Sequence, residues 1–186
     1  AVAAHISLCD DCRASLAAYE ALGGAVIDDC GFEPMSNDSL ATVLARLDQA
    51  PMESPKPRST GVLPAPLTEY VGGDLNKVKW RHIGMGVRQA ILPTGKGATA
   101  RLLHIPKGQA VPDHGHRGME LTLVLQGAFR DESDRFGRGD IEIATTSDQH
   151  SPVAESDEDC ICLAVTDAPL RFNAFLPRLL QPLVRI

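Results

Sequence analysis

The segment Gly108-Gln-Ala-Val-Pro-Asp-His114-Gly-His116-Arg-Gly-Met-Glu120-Leu-Thr-Leu-Val-Leu-Gln-Gly127 sets two imidazoles and a carboxylate in an extended frame. His114 and His116 are two residues apart, so in an extended chain both point to one side. Glu120 enters the following strand, where Leu121, Leu123 and Leu125 alternate out of its face. Gly108 and Gly127 bracket the unit as turns. Two imidazoles and a carboxylate converging inside a barrel make a metal site. On both sides of this segment run short apolar or alternating stretches punctuated by Gly, Pro and Asp: 81–92, 98–105, 120–125, 140–144, 159–165 and 170–175. Such runs, at intervals of about ten to twenty residues, predict an all-β sandwich or barrel.

The spacing Gly-x5-His-x-His-x3-Glu-x6-Gly resembles the first motif of the cupins without a gap. The resemblance implies a jelly-roll β-barrel whose metal takes one more histidine from a second motif. His150, thirty residues beyond Glu120, is the downstream candidate. The second motif departs from the cupin pattern, because no Pro-x-Gly precedes His150 and Ala154 stands where an Asn is typical. The fold and a metal site of His114, His116, Glu120 and His150 carry over; a catalytic assignment does not. Zn²⁺ or another divalent transition metal suits these ligands, which serve Fe, Mn, Ni, Cu and Zn alike.

The other end of the chain has a different texture. Residues 1–22 are rich in Ala and Leu and free of Pro and Gly, predicting one helix ended by Gly23-Gly24. Ser36-Asn-Asp-Ser39 offers a run of N-cap residues. Leu40, Val43, Leu44 and Leu47 follow at i, i+3, i+4 and i+7, one apolar stripe on a second helix of about three turns. Two short helices cannot enclose a core, so this module needs further residues, a metal or a partner. The chain opens at Ala1 without a Met, and a further N-terminal segment is expected ahead of it. From Pro51, five prolines in sixteen residues preclude helix and central strand and predict an extended linker. The expected organisation is a helical module at 1–49, a linker at 50–68 and a metal-binding β domain at 69–186.

Net charge is −6, and all of it lies in residues 1–50, which carry eight acids and two bases. That balance argues against direct DNA binding, which needs clustered Lys and Arg. An acidic module suits a basic protein partner, and an amphipathic helix laid in a groove is one way to meet it. The same stripe would also serve as ordinary core. Five cysteines at uneven spacing indicate metal or redox thiols in a reducing compartment. No run approaches the roughly 18 apolar residues of a membrane span, and no signal peptide is visible.

His5, Cys9 and Cys12 stand at i, i+4 and i+7, on one face of a helix. Tetrahedral Zn²⁺ takes this N/S mixture and wants four ligands. Cys30 and a histidine in the expected preceding segment are equal candidates for the fourth. His-x3-Cys-x2-Cys on an Ala-rich helix resembles the zinc-binding anti-sigma domain. That domain followed by a Pro-rich linker and a cupin resembles the ChrR-type anti-sigma factors. The resemblance implies a cytoplasmic regulator that sequesters an extracytoplasmic-function sigma factor one to one, without touching DNA or membrane. It also implies release when singlet oxygen or related oxidants act through the cupin-like domain, and a fourth zinc ligand from a histidine of the preceding helix. Leu40, Val43, Leu44 and Leu47 are then candidate partner contacts. Cys160 and Cys162 flank Ile161 in a strand and face one side of the sheet, so they are candidate signalling thiols if that side is the interior. The rival expectation is a metal-dependent cupin enzyme of dioxygenase type with an accessory helical segment.

Overall fold

The computed structural model describes residues 1–49, 61–173, 179 and 181. They fall into two compact units: residues 1–10 with everything described from 61 onward, and residues 11–49. The proline-rich stretch 50–60 lies outside the described residues, as do 174 and 175 of the last expected strand.

In the first unit the chain runs β1 (Arg81–Gly84), β2 (Val87–Leu92), β3 (Thr99–Ile105), β4 (His114–His116), β5 (Glu120–Gln126) and β6 (Ala128–Arg130). It continues through β7 (Arg135–Gly137), β8 (Ile141–Ala144), β9 (Gln149–His150), β10 (Val153–Ala154), β11 (Cys160–Thr166) and β12 (Leu170–Phe172). One antiparallel sheet has the order β1-β2-β3-β11-β5-β8; two three-stranded sheets have the orders β10-β6-β7 and β12-β4-β9. The sheets stay separate, so the predicted barrel is a jelly-roll sandwich, not a closed cylinder. The expected runs fall on β1 to β3, β5, β8, β11 and β12. The short strands β6, β7, β9 and β10 carry too few residues to register a period.

The middle strands of the large sheet, β11 and β5, pack on both faces, and strand alternation sorts their residues. Leu123 and Leu125 of β5, with Ile161 and Leu163 of β11, turn to an outer layer that holds Leu102, Leu63, Ala4 and Leu67. Val124, Cys160 and Cys162 turn the other way, against Val87, Ile105, Phe129 and Ala154. Two helices supply the outer layer: α1 (Val2–Ile6) brings Ala4, and α4 (Ala65–Val71) brings Leu67.

That α4 exists corrects the linker boundary at 68. Pro66 stands in the first turn, where its missing N–H would have no partner anyway. The preceding segment is pinned by the Asp74 carboxylate, which accepts from the Val62 and Leu63 amides at 3.0 and 2.9 Å.

The single helix expected over 1–22 is also corrected. Helix α1 stops at Ile6, and α2 runs from Asp10 to Asp28. The Ser7 hydroxyl donates to the Ala4 carbonyl at 2.7 Å, the local competition that lets a serine close a helix. Leu8 then packs into the outer layer. Gly23-Gly24 does not end the helix but lies inside α2. Each glycine costs about 0.5–1 kcal/mol relative to Ala, too little to stop nineteen residues rich in Ala and Leu.

In the second unit, α3 (Ser39–Gln49) begins on the expected cap run, with the Ser36 and Ser39 hydroxyls 2.6 Å apart. No residue of α2 is buried. The α3 stripe of Leu40, Val43, Leu44 and Leu47 is exposed throughout.

Candidate functional site

Two strands bring the jelly-roll histidines together. His114 and His116 sit on β4, and His150 on β9 pairs directly across from His114. All three rings are buried. The Nε2 atoms of His114 and His150 are 3.2 Å apart, and those of His116 and His150 are 3.3 Å apart. A Zn–N bond of about 2.0–2.1 Å in tetrahedral geometry separates two ligand nitrogens by about 3.3 Å. The trio therefore fits one transition-metal ion. The far nitrogen of His114 is engaged as ligation requires: its Nδ1 donates to the Pro112 carbonyl at 2.9 Å. Burial holds the His114 pKa below its ordinary value, which favours the neutral, ligating ring.

Glu120, at the start of β5, is set beside the trio but not within it. Its Oε2 lies 3.3 Å from His116 Nδ1. The pair is off hydrogen-bond alignment, so both buried atoms lack a hydrogen-bond partner among the described residues. Thr122 Oγ1 donates to the other oxygen at 3.0 Å. Burial pushes the Glu120 pKa up, but His116 and His114 outweigh it and the net shift is down. An ionised carboxylate with a spare oxygen beside three imidazoles suits a cation.

His150 carries a second set of contacts. Its Nδ1 lies 2.9 Å from Asp131 Oδ2 and 2.9 Å from Glu142 Oε1. Burial alone would lower its pKa; these two carboxylates outweigh burial and push it up to about 9. A metal would displace the Nε2 proton and leave the Nδ1 proton with the carboxylates. Neither Asp131 nor Glu142 was among the residues expected from sequence. Glu142 lies between Ile141 and Ile143, and alternation suggests that the isoleucines point inward. Glu142 and Ala144 instead face the interior, while Ile143 is exposed. The available signal was register: Glu142 pairs with Thr122 and Ala144 with Glu120, so all four share a face.

A cavity of about 350 Å³ opens beside the histidines, lined by His114, His150, Glu120 and Cys162 among mostly apolar side chains. Arg101, also unanticipated, lines it from β3, buried and donating to Gln89 Oε1 at 3.2 Å. Cys160 and Cys162 are buried free thiols with sulfurs 3.4 Å apart. The hydrogen bond to Cys160, with burial, raises the Cys162 pKa well above that of an ordinary thiol.

Near the N-terminus, ligand atoms of His5, Cys9 and Cys12 lie within 4.8 Å of one another. His5 Nδ1 donates to the Gly139 carbonyl at 2.8 Å, leaving Nε2 for a metal. Cys30 is exposed, its thiol directed to the Val26 carbonyl at 3.2 Å, and does not join this group. No helix among the described residues is long and apolar enough to cross a membrane.

The ChrR cupin-like domain family matches residues 68–169. The anti-sigma-E factor ChrR of Cereibacter sphaeroides is 62% identical over 186 residues, which is all of this chain and 87% of that protein. The crystal structure of Rhodobacter sphaeroides SigE in complex with the anti-sigma ChrR superposes with a TM-score of 0.76. There the identity is 58%, over 89% of this chain and 85% of that one. With this identity across its length and a helical segment ahead of a cupin-like jelly roll, the chain belongs to the ChrR family of anti-sigma factors, regulators rather than enzymes.

Proposed function

We propose that this protein is a cytoplasmic anti-sigma factor that holds an extracytoplasmic-function sigma factor in a one-to-one complex. The identity to ChrR, extending through the helical segment, is the observation that carries this reading. Physical chemistry supports it: α2 buries nothing and α3 exposes its leucine stripe, so these helices have apolar surface to give to a partner. Leu40, Val43, Leu44 and Leu47 are the contacts we assign to the sigma factor. His5, Cys9 and Cys12 would hold Zn²⁺, with a fourth ligand from outside this group. Zinc keeps the helices in register, so its loss unfolds the binder. His114, His116 and His150, with Glu120, would hold Zn²⁺ or another divalent transition metal in the jelly roll. That ion would supply a fixed positive charge and Lewis acidity beside the cavity.

Release is assigned to the jelly roll: singlet oxygen or a related oxidant, acting at the cupin-like domain and its nearby thiols Cys160 and Cys162, weakens the complex. A tenfold rise in Kd needs only about 1.4 kcal/mol. Co-purification with a sigma factor and a reporter of sigma-dependent transcription test both halves. His5→Ala or Cys9→Ala abolishes sigma binding; wild-type affinity in either overturns the zinc-stapled binder. His114→Ala, His116→Ala or Glu120→Ala keeps basal binding but blocks release in oxidant-treated cells; normal release in all three overturns the metal-dependent sensor.

A further inference from the structure

We infer that Asp131 and Glu142 are positioning residues that aim His150 at the metal of the jelly roll. This rests on the reading that His114, His116 and His150 hold an ion there.

The argument starts from an asymmetry among the three rings. His114 has a single acceptor for its Nδ1 proton, the backbone carbonyl of Pro112 at 2.9 Å. His150 has two carboxylate oxygens at 2.9 Å on the same nitrogen. An imidazole N–H held by an anion is fixed in tautomer and in ring orientation, and its opposite nitrogen becomes a stronger donor to a metal. His150 is also the ring that needs the most help. It lies on β9, a strand of only two residues, whereas the other two rings share β4. Its Nε2 nevertheless approaches both partners, at 3.2 Å to His114 and 3.3 Å to His116.

The two carboxylates come from separate parts of the sandwich. Glu142 projects from β8 and is buried. Asp131 follows β6 and is itself fixed through its other oxygen. Asp131 Oδ1 accepts from the Ser133 amide at 2.8 Å, the Ser133 hydroxyl at 2.7 Å and the Asp134 amide at 3.1 Å. One oxygen thus anchors the turn while the other addresses His150. That division makes Asp131→Asn a clean test, because the amide can keep its carbonyl oxygen on the turn. It then presents an NH₂ to His150 Nδ1, a donor facing a donor, and drives the ring toward the wrong tautomer. Glu142→Gln is the milder change, since its amide can rotate to keep an acceptor while losing the charge.

The experiment titrates full-length protein with Co²⁺ and Zn²⁺ in chelator competition. Wild type, Asp131→Asn, Glu142→Gln, the double variant and His114→Ala are compared, all in a Cys9→Ser/Cys12→Ser background that removes thiolate ligands elsewhere. Asp131→Asn should weaken binding about 10- to 100-fold, and the double variant at least as much. Glu142→Gln should fall between wild type and Asp131→Asn. In the Co²⁺ form, proton NMR should show a paramagnetically shifted, exchangeable ring N–H for His150 in the wild type, and that signal should move or vanish in Asp131→Asn. Metal-free melting temperatures report folding separately, so an affinity loss with an unchanged melt marks positioning. If the wild type binds no ion that His114→Ala removes, the metal reading itself fails. If it binds one and both single variants bind it equally well, with the His150 N–H signal unmoved, the positioning role is wrong.

Discussion

Truncating Leu40 and Leu47 together to alanine distinguishes a partner-facing stripe from a core one. Burying a whole leucine side chain is worth about 1.5–3 kcal/mol. In the free chain Leu40 is 69% exposed and Leu47 is 65% exposed. About two thirds of that value, roughly 1–2 kcal/mol for each, is therefore still available to a binding partner. The positions are i and i+7, about 10.5 Å apart along the helix, far enough for the losses to add. The double variant should lose roughly 2–4 kcal/mol of binding, or about 30- to 700-fold in Kd. Its own stability should hardly move. Both residues are exposed and alanine is the best helix former, so unfolding should shift by less than about 0.5 kcal/mol. Calorimetric titration against the cognate sigma factor gives the first number, and thermal unfolding of the free chain gives the second. An unchanged Kd would remove α3 from the interface. A large drop in melting temperature would return the stripe to the protein's own core.

Two further outcomes test the jelly roll. Gly127→Ala should destabilise it by about 1–3 kcal/mol in urea unfolding, because φ is +65° and the new Cβ would lie 2.8 Å from the Asp159 carbonyl oxygen. Gly108→Ala, also at positive φ (+73°) but in open space, should cost less; equal losses would mean that the close approach is irrelevant. Iodoacetamide at pH 8 on folded, metal-free protein should label the exposed Cys12 and Cys30 and spare Cys160 and Cys162 until denaturant is added. A raised pKa means less thiolate, the reactive form, at any given pH, and burial blocks access as well. Early labelling of Cys162 would contradict both.

Local signals proved readable where the residues that decide an element are near one another in sequence. His114, His116 and Glu120 lie within seven positions, and Gly127 closes their unit with the positive φ that its place implies. The cap run before α3 and the leucine period along it were likewise legible. Those features depend on periodicity and backbone conformation, which the chain itself dictates. His150 was nameable only as the downstream histidine. What brought it to the others is the pairing of β4 with β9, a contact across thirty-six residues.

Other features depended wholly on the assembled fold. Asp131 and Glu142 reach His150 because the residue after β6 and a residue within β8 are brought to one ring, and no spacing in the sequence announces that. Pro66 reads as a helix breaker until the helix is seen to begin beside it, and Gly23-Gly24 as a stop until α2 is seen to run through. Ser7 and Leu8 break the first helix so that Leu8 can join a core built mainly from residues past Leu63. Residue type and spacing determined which side chains were able to bind a metal and which helix was able to offer an apolar stripe. The packing of distant strands decided which of them meet, because burial and hydrogen-bond satisfaction are settled over the whole sandwich at once.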